Sequence, residues 1–137
     1  MNSKKILIFG VFDGVHEGHI HFINEAKMQG DHLVAIVARD SIVEKLKGTT
    51  PLYNEVERIK NLLEIPEVDF VLLGDGELGT YHVLREVKPD VVFLGYDQKK
   101  LKEDLTEKIK SGELRDIEIT VGKSHKGDEL HSSILRK

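Results

Sequence analysis

Apolar residues fall into short, unbroken blocks along the chain. Ile6-Leu7-Ile8-Phe9 closes at Gly10, and Leu33 to Ala38 forms a second block. Phe70-Val71-Leu72-Leu73 closes at Gly74, and Val91-Val92-Phe93-Leu94 closes at Gly95. Blocks that are apolar at consecutive positions suit strands buried on both faces of a parallel sheet. A further segment alternates, with Ile117, Ile119 and Val121 separated by Glu118 and Thr120, and predicts a sheet edge with one wet face. Helical spacing fills the gaps. Ile20, Ile23 and Ala26 share a face ahead of Gly30, which predicts a left-handed helix stop there. Asn54 and Glu57 form a capping box ahead of Val56, Ile59, Leu62 and Leu63. Tyr81, Leu84 and Val87 predict a helix that Pro89 ends; Leu101, Leu105 and Ile109 predict another with Gly112 beyond. Ser41 to Leu52 reads as a short helix followed by a loop.

The order β-α-β-α-β-α-β-α-β predicts an α/β fold. It is a Rossmann-like, doubly wound, mainly parallel five-stranded sheet with helices on both faces. The 137 residues are the size of one domain, and no repeat, low-complexity tract or linker divides residues 1–137. In such folds ligands sit beyond the carboxyl ends of the strands, near the switch in strand order. The loops to read are therefore those after Phe9, Val37, Leu73, Leu94 and Val121.

Composition narrows the function classes. A net charge of -4 argues against nucleic acid as a partner, since a polyphosphate backbone needs a basic face. The absence of cysteine excludes both a disulfide framework and a thiolate zinc site. The N-terminal apolar block, Ile6 to Phe9, is too short for a signal peptide or for a membrane span of about 20 residues. The expectation is a cytoplasmic protein without a membrane partner.

The first loop reads Gly10-Val11-Phe12-Asp13-Gly14-Val15-His16-Glu17-Gly18-His19. It is neither the dinucleotide fingerprint G-x-G-x-x-G nor a Walker P-loop, because no Gly-Lys-Ser/Thr follows. Two histidines three apart, with a glycine between them, stand at the start of a helix. Residues three apart on a helix face the same way. Gly18 permits close approach of a large group, and a helix N-terminus adds N–H donors and the positive end of its dipole. The combination predicts a triphosphate site. An isolated H-x-x-H would serve equally as surface residues or metal ligands; the ten-residue string is what favours the nucleotide.

The string resembles the H-x-G-H signature of the cytidylyltransferase-like nucleotidyltransferases. These include glycerol-3-phosphate cytidylyltransferases, heptose-phosphate adenylyltransferases and the archaeal FAD synthetases. The likeness continues through Ile36-Val37-Ala38-Arg39-Asp40, Lys45-Leu46-Lys47-Gly48, the Asn54 to Leu63 helix, Gly95-Tyr96-Asp97-Gln98 and His131-Ser132-Ser133. It is greatest to the archaeal FAD synthetase branch, which carries Gly-x-Asp-Gln after the fourth strand and His-Ser-Ser near the C-terminus. The resemblance implies one nucleotidyltransferase domain. It would transfer AMP from ATP to FMN, giving FAD and pyrophosphate without a covalent enzyme intermediate. It also leaves open a cytidylyl- or adenylyltransferase using CTP or ATP with a sugar or polyol phosphate such as glycerol-3-phosphate. A non-catalytic nucleotide-binding protein is the reading from a different class.

Residue by residue, the resemblance implies catalytic roles for His16, His19 and Lys47. Nucleotide binding would fall to Val11, Phe12, Glu17, Gly18, Asp97, Ser132 and Ser133 together with the histidines, and acceptor binding to Asp13, Lys45 and Arg58. Lys123, His125, Lys126 and His131 are further candidates for ligand contact. Mg2+ is expected to ride on the triphosphate, without protein ligands of its own, and the family implies a homodimer. There are departures. The cysteines of the archaeal branch are missing, and Lys137 stands four residues beyond Ser133, which would leave the phosphate clamp less rigid. Gly14-Val15 is similar to the bacterial flavin adenylyltransferases.

Overall fold

The structure, a computed structural model, describes residues 3–123. Its first apolar block forms β1 (Lys5–Gly10), and the second forms β2 (His32–Val37). These pair in parallel along their whole length, from Lys5 opposite His32 to Gly10 opposite Val37. The others form β3 (Phe70–Leu73), β4 (Val91–Leu94) and β5 (Glu118–Val121). All five strands lie in one sheet in the order β3-β2-β1-β4-β5, and every pairing is parallel.

The central strand explains why its run is unbroken. Ile6, Leu7 and Ile8 have no exposed surface. Successive side chains point to opposite faces, so the strand feeds two cores. Ile6 and Ile8 join Ala35, Val37, Val91 and Phe93, under Ile23 and Ala26 of α1 (Glu17–Lys27) and Leu62 of α3 (Glu55–Leu63). Leu7 joins Val34, Ile36, Val92 and Leu94 on the other face, under Leu84 of α4 (His82–Val87) and Leu105 of α5 (Lys99–Ser111). The remaining helix, α2 (Asp40–Lys47), follows β2 and ends at Gly48 in the left-handed region, as the short-helix reading of this stretch expected.

Two local expectations give way. Phe70 to Leu73 reads as a strand buried on both faces, but β3 is a sheet edge. Val71 packs on the first core while Phe70 and Leu72 are 58% and 42% exposed. Gly30 does not stop α1 in a left-handed conformation; the C-cap is Met28, in right-handed helical geometry. Gly30 is needed for room instead, because a Cβ there would meet Ile6 Cδ1 at 2.7 Å. The Asn54–Glu57 capping box forms as read, with Glu57 N–H donating to Asn54 Oδ1 at 2.8 Å and Asn54 N–H to Glu57 Oε1 at 3.1 Å. Among the described residues no helix is long and apolar enough to cross a membrane.

The chain winds outward from β1 through β2 to β3, then crosses back to β4. The switch in strand order therefore lies between β1 and β4. The loops leaving their carboxyl ends, after Gly10 and after Leu94, face each other there.

A substitution tests the packing argument. Gly30→Ala places a Cβ against Ile6, which is fully buried and has nowhere to move. The expected loss is about 1–3 kcal/mol, read as a lower urea midpoint at unchanged slope.

Candidate active site at the switch point

The loop after β1 is shaped by its glycine and its phenylalanine. Phe12 has φ 53°, in the left-handed region, yet is only 3% exposed. Its ring lies where a Cβ on Gly10 would be, 2.6 Å away at the nearest ring atom, so only glycine fits before it. A bulky residue held in this conformation requires support from its surroundings. Part of it comes from His19, whose ring meets Phe12 edge-on at 5.7 Å between centroids.

The two histidines make a helix cap. His16 is the N-cap of α1, with extended backbone, and His19 is the third helical residue. His16 Nδ1 accepts from the Gly18 amide at 3.0 Å, and His19 Nδ1 accepts from the His16 amide at 3.3 Å. The His16 side chain also accepts from the His19 amide, completing a reciprocal capping box of the kind usually built by Ser/Thr and Glu. The rings stack at 3.9 Å with 29° between their planes. An imidazole nitrogen that accepts carries no proton, so in both rings the proton sits on Nε2. The sequence-based expectation of helix amides open to a ligand is thereby corrected. The amides of Gly18 and His19 turn to the His16 ring.

These residues form one wall of an open cleft of about 950 Å³, within the range of small-molecule sites. Val11, Phe12, Asp13, His16, Glu17, Gly18 and His19 contribute from the first loop and helix; Phe22 and Glu25 extend the same helix face. Gly95, Tyr96, Asp97 and Gln98 supply the opposite wall, Lys47 comes from the end of α2, and Gly122 and Lys123 follow β5. Gln98 ties the walls together: its Oε1 accepts from the Gly95 amide at 2.8 Å and its Nε2 donates to the Phe9 carbonyl at 3.1 Å. Sequence reasoning gave Gln98 no role of its own, although its place in Gly-Tyr-Asp-Gln was visible.

Two acceptor candidates stand elsewhere. Lys45 is exposed on α2 and does not line the cleft. Arg58 has no exposed surface. Its Nε donates to the Tyr53 carbonyl at 3.0 Å and its NH1 group to the Val11 and Ala38 carbonyls at 2.8 Å. Its NH2 group pairs with Asp40 Oδ1 at 2.7 Å. A guanidinium committed in this way supports the loop and cannot reach an acceptor. Asp13 is likewise turned to the protein: its carboxylate accepts from the Leu52 and Tyr53 amides at 2.7 and 2.8 Å. Desolvation raises the Asp13 pKa, but those two amides and the charges of Arg58 and Lys47 outweigh it, so the carboxyl lies below its ordinary value. Ser132, Ser133, His125, Lys126 and His131 lie outside the described residues.

The family model described as cytidylyltransferase-like matches residues 7–137. The chain belongs to the cytidylyltransferase-like family. It is 38% identical to the FAD synthase of Thermoplasma acidophilum over 133 residues, 97% of this chain and 92% of that one. It is 36% identical to the FAD synthase of Thermococcus sibiricus, over 98% of this chain and 93% of the other. A crystal structure from Thermoplasma volcanium, described as a lipopolysaccharide core biosynthesis protein, superposes with a TM-score of 0.79 at 36% identity. The match covers 90% of this chain and 99% of that one. In this cytidylyltransferase-like chain the signature histidines thus both cap a helix and line the cleft.

Two measurements probe the supports. Arg58→Lys removes the buried fork that holds three backbone carbonyls and should cost roughly 2–4 kcal/mol in chemical denaturation. Asp13, with its folded pKa lowered, contributes stability that is full well above its unfolded value near 3.8 and is lost as pH falls through the folded value. Asp13→Asn should therefore flatten the decline of melting temperature below about pH 5. An acid limb identical to wild type refutes the Asp13 clamp.

Proposed function

We propose that the chain transfers the adenylyl group of ATP to the phosphate of FMN, giving FAD and pyrophosphate. The observation that carries this reading is its near-full-length similarity, at 38% and 36% identity, to proteins named FAD synthase. The geometry of the cleft supports it.

A phosphate oxygen of FMN attacks the α-phosphorus of ATP, and the bond to the bridging oxygen breaks as pyrophosphate leaves. Negative charge grows on the α-phosphate oxygens and on the leaving oxygen. His16 and His19 would supply Nε2–H donors to those atoms, and the Lys47 ammonium would add a positive charge beside them. Such catalysis is positioning plus charge stabilisation, with no nucleophile on the protein. Val11 and Phe12 would present backbone to the nucleotide, and Glu17 and Gly18 would border it. Asp97, on the opposite wall, would accept from ribose hydroxyls. By resemblance alone, Ser132 and Ser133 would bind the β- and γ-phosphates.

Among the described residues no group of three or more His, Asp or Glu is placed to hold a metal ion. On this reading a divalent cation, Mg2+, comes with the ATP, keeping several waters. We take residues 1–137 to work as one nucleotidyltransferase domain, in the cytoplasm and as a homodimer. A sugar or polyol phosphate acceptor is the second reading; the Thermoplasma volcanium structure is described only as a lipopolysaccharide core biosynthesis protein.

The test is incubation with ATP, magnesium and FMN followed by separation of the flavins. FAD should appear. If it does not, while CTP and glycerol-3-phosphate yield CDP-glycerol, the acceptor assignment is wrong. Asparagine variants separate capping from chemistry. In His16→Asn and His19→Asn an amide oxygen can replace the accepting Nδ1, but nothing replaces the Nε2 donor. Each should lower turnover roughly 10²–10³-fold; His16→Asn should shift the melting temperature little, and His19→Asn should lower it further, because the ring that supports Phe12 is lost. A near-normal rate in either variant removes that histidine from the mechanism.

A further inference from the structure

We infer that the side chain of Gln98 is a spacer between the carboxyl ends of β1 and β4. It is a positioning residue that sets the opening between the histidine wall and the Asp97 wall. This deepens the proposed adenylyl transfer and rests on its premise that ATP occupies the cleft.

Elsewhere the sheet keeps its hydrogen bonds up to the rim. With Gly10 opposite Val37, the Ala38 amide donates to the Gly10 carbonyl at 3.0 Å. With Val37 opposite Leu73, the Gly74 amide donates to the Val37 carbonyl at 2.8 Å. With Leu94 opposite Val121, the Gly122 amide donates to the Leu94 carbonyl at 2.8 Å. Between β1 and β4 the ladder stops short. Partners are Ile6 with Val91 and Leu7 with Val92, although β1 runs on to Gly10 and β4 to Leu94. The same register would set Phe9 opposite Leu94, and the next bond would join the Gly95 amide to the Phe9 carbonyl. Those are the two groups that Gln98 takes. Its Oε1 accepts from the Gly95 amide at 2.8 Å, and its Nε2 donates to the Phe9 carbonyl at 3.1 Å. The carboxamide stands where a direct bond between the strands would be.

The place demands a group that accepts at one end and donates at the other, which an ionised carboxylate cannot do. Gln98 is the N-cap residue of α5, yet its side chain makes no capping bond. It turns back across the switch point instead. Gly95 leaves room for it: a Cβ there would lie 2.8 Å from Asp97 Oδ1 and 3.6 Å from Gln98 Oε1. The Asp97 carboxylate therefore lies over the same glycine that Gln98 holds away from Phe9. A direct bond would satisfy both backbone groups without ordering a long side chain, whose lost freedom opposes folding. What the open ladder provides is a gap at the switch point, where ligands bind in sheets of this kind. Phe9, Gly10, Gly95, Asp97 and Gln98 all line the cleft there.

Calorimetric ATP titration and steady-state kinetics of Gln98→Met and Gln98→Glu test this, each read against wild type at the same pH. Gln98→Met keeps the length of the side chain and loses both bonds. It should bind ATP about tenfold more weakly and lower kcat about tenfold, because displaced walls misalign the reacting groups. Gln98→Glu should lose as much at about pH 8, where its carboxylate accepts from the Gly95 amide but repels the Phe9 carbonyl. As pH falls towards about 5 the new carboxyl protonates, and its O–H donates to that carbonyl. The Asp97 carboxylate over Gly95 raises the pKa of the new group and brings this recovery into range. The deficit in ATP affinity should then shrink about threefold or more, while Gln98→Met, with nothing to protonate, shows no recovery. If both variants melt lower but bind ATP and turn over as wild type does at every pH, the spacer is overturned. The FMN reading then stands wherever the wild type makes FAD. If the wild type binds ATP and makes no FAD, the FMN reading falls, and ATP affinity with its acid recovery still decides on Gln98. A wild type that binds no ATP overturns the spacer with its premise.

Discussion

Three backbone carbonyls at the rim of the sheet, those of Val11, Ala38 and Tyr53, depend on one guanidinium for their hydrogen bonds. They come from three separate segments: the loop after β1, the end of β2, and the approach to α3. A buried guanidinium left without acceptors costs on the order of 1–3 kcal/mol or more, so Arg58 and the carbonyls of these segments hold one another in place. Arg58 serves all three with one rigid fork, whose planar spread a lysine ammonium would lack. Arg58 reaches the junction because it lies in the first turns of α3, whose start is set by the Asn54–Glu57 box. The turn chemistry of one helix therefore fixes the carbonyl of Val11 in another layer. From Val11 the constraint passes to Phe12, held in the left-handed region, and from the Phe12 ring to His19. The cleft depends on this chain of contacts, although Arg58 itself never enters it.

Most of the architecture is legible from residue order. Unbroken apolar blocks mark buried parallel strands, and the two glycines after Phe9 and Leu94 mark the rim where the cleft opens. What periodicity leaves undecided is lateral position. Phe70 to Leu73 and Val91 to Leu94 are equivalent as strings, but one lies at the edge and the other beside the centre. Only the order of strands distinguishes them, and that order is set by packing across the whole sheet. The same limit applies to single side chains. An arginine is exposed so often that nothing local announces Arg58 as fully buried. Gly30 carries the signal of a helix stop but answers a need for space against Ile6, a residue 24 positions away along the chain. Histidine is not among the usual N-caps, so the place of His16 and His19 was readable and their capping was not.

That capping bears on how a chain of net charge -4 can present a cleft to a triphosphate. Glu17, Asp13 and Asp97 all border it. Asp13 is largely answered from within the protein by two amides and by the nearby positive charges. The positive end of α1 is carried into the cleft indirectly. Amide hydrogens of the first turn point at Nδ1 of the His16 ring, and the ring carries a proton on its other nitrogen. Donation into one side of an imidazole polarises the N–H on the other, so hydrogen bonds in series strengthen one another. The helix terminus thus acts through a side chain that extends several ångströms beyond the backbone. Bare amides would hold an anion against the helix end and leave little room around it. The stacked rings line an open cleft, where, on the proposed reading, an attacking group and a departing one lie on opposite sides of the same phosphorus. On the proposed reading, the histidines are suited to an in-line transfer because they satisfy the helix first and face the substrate second.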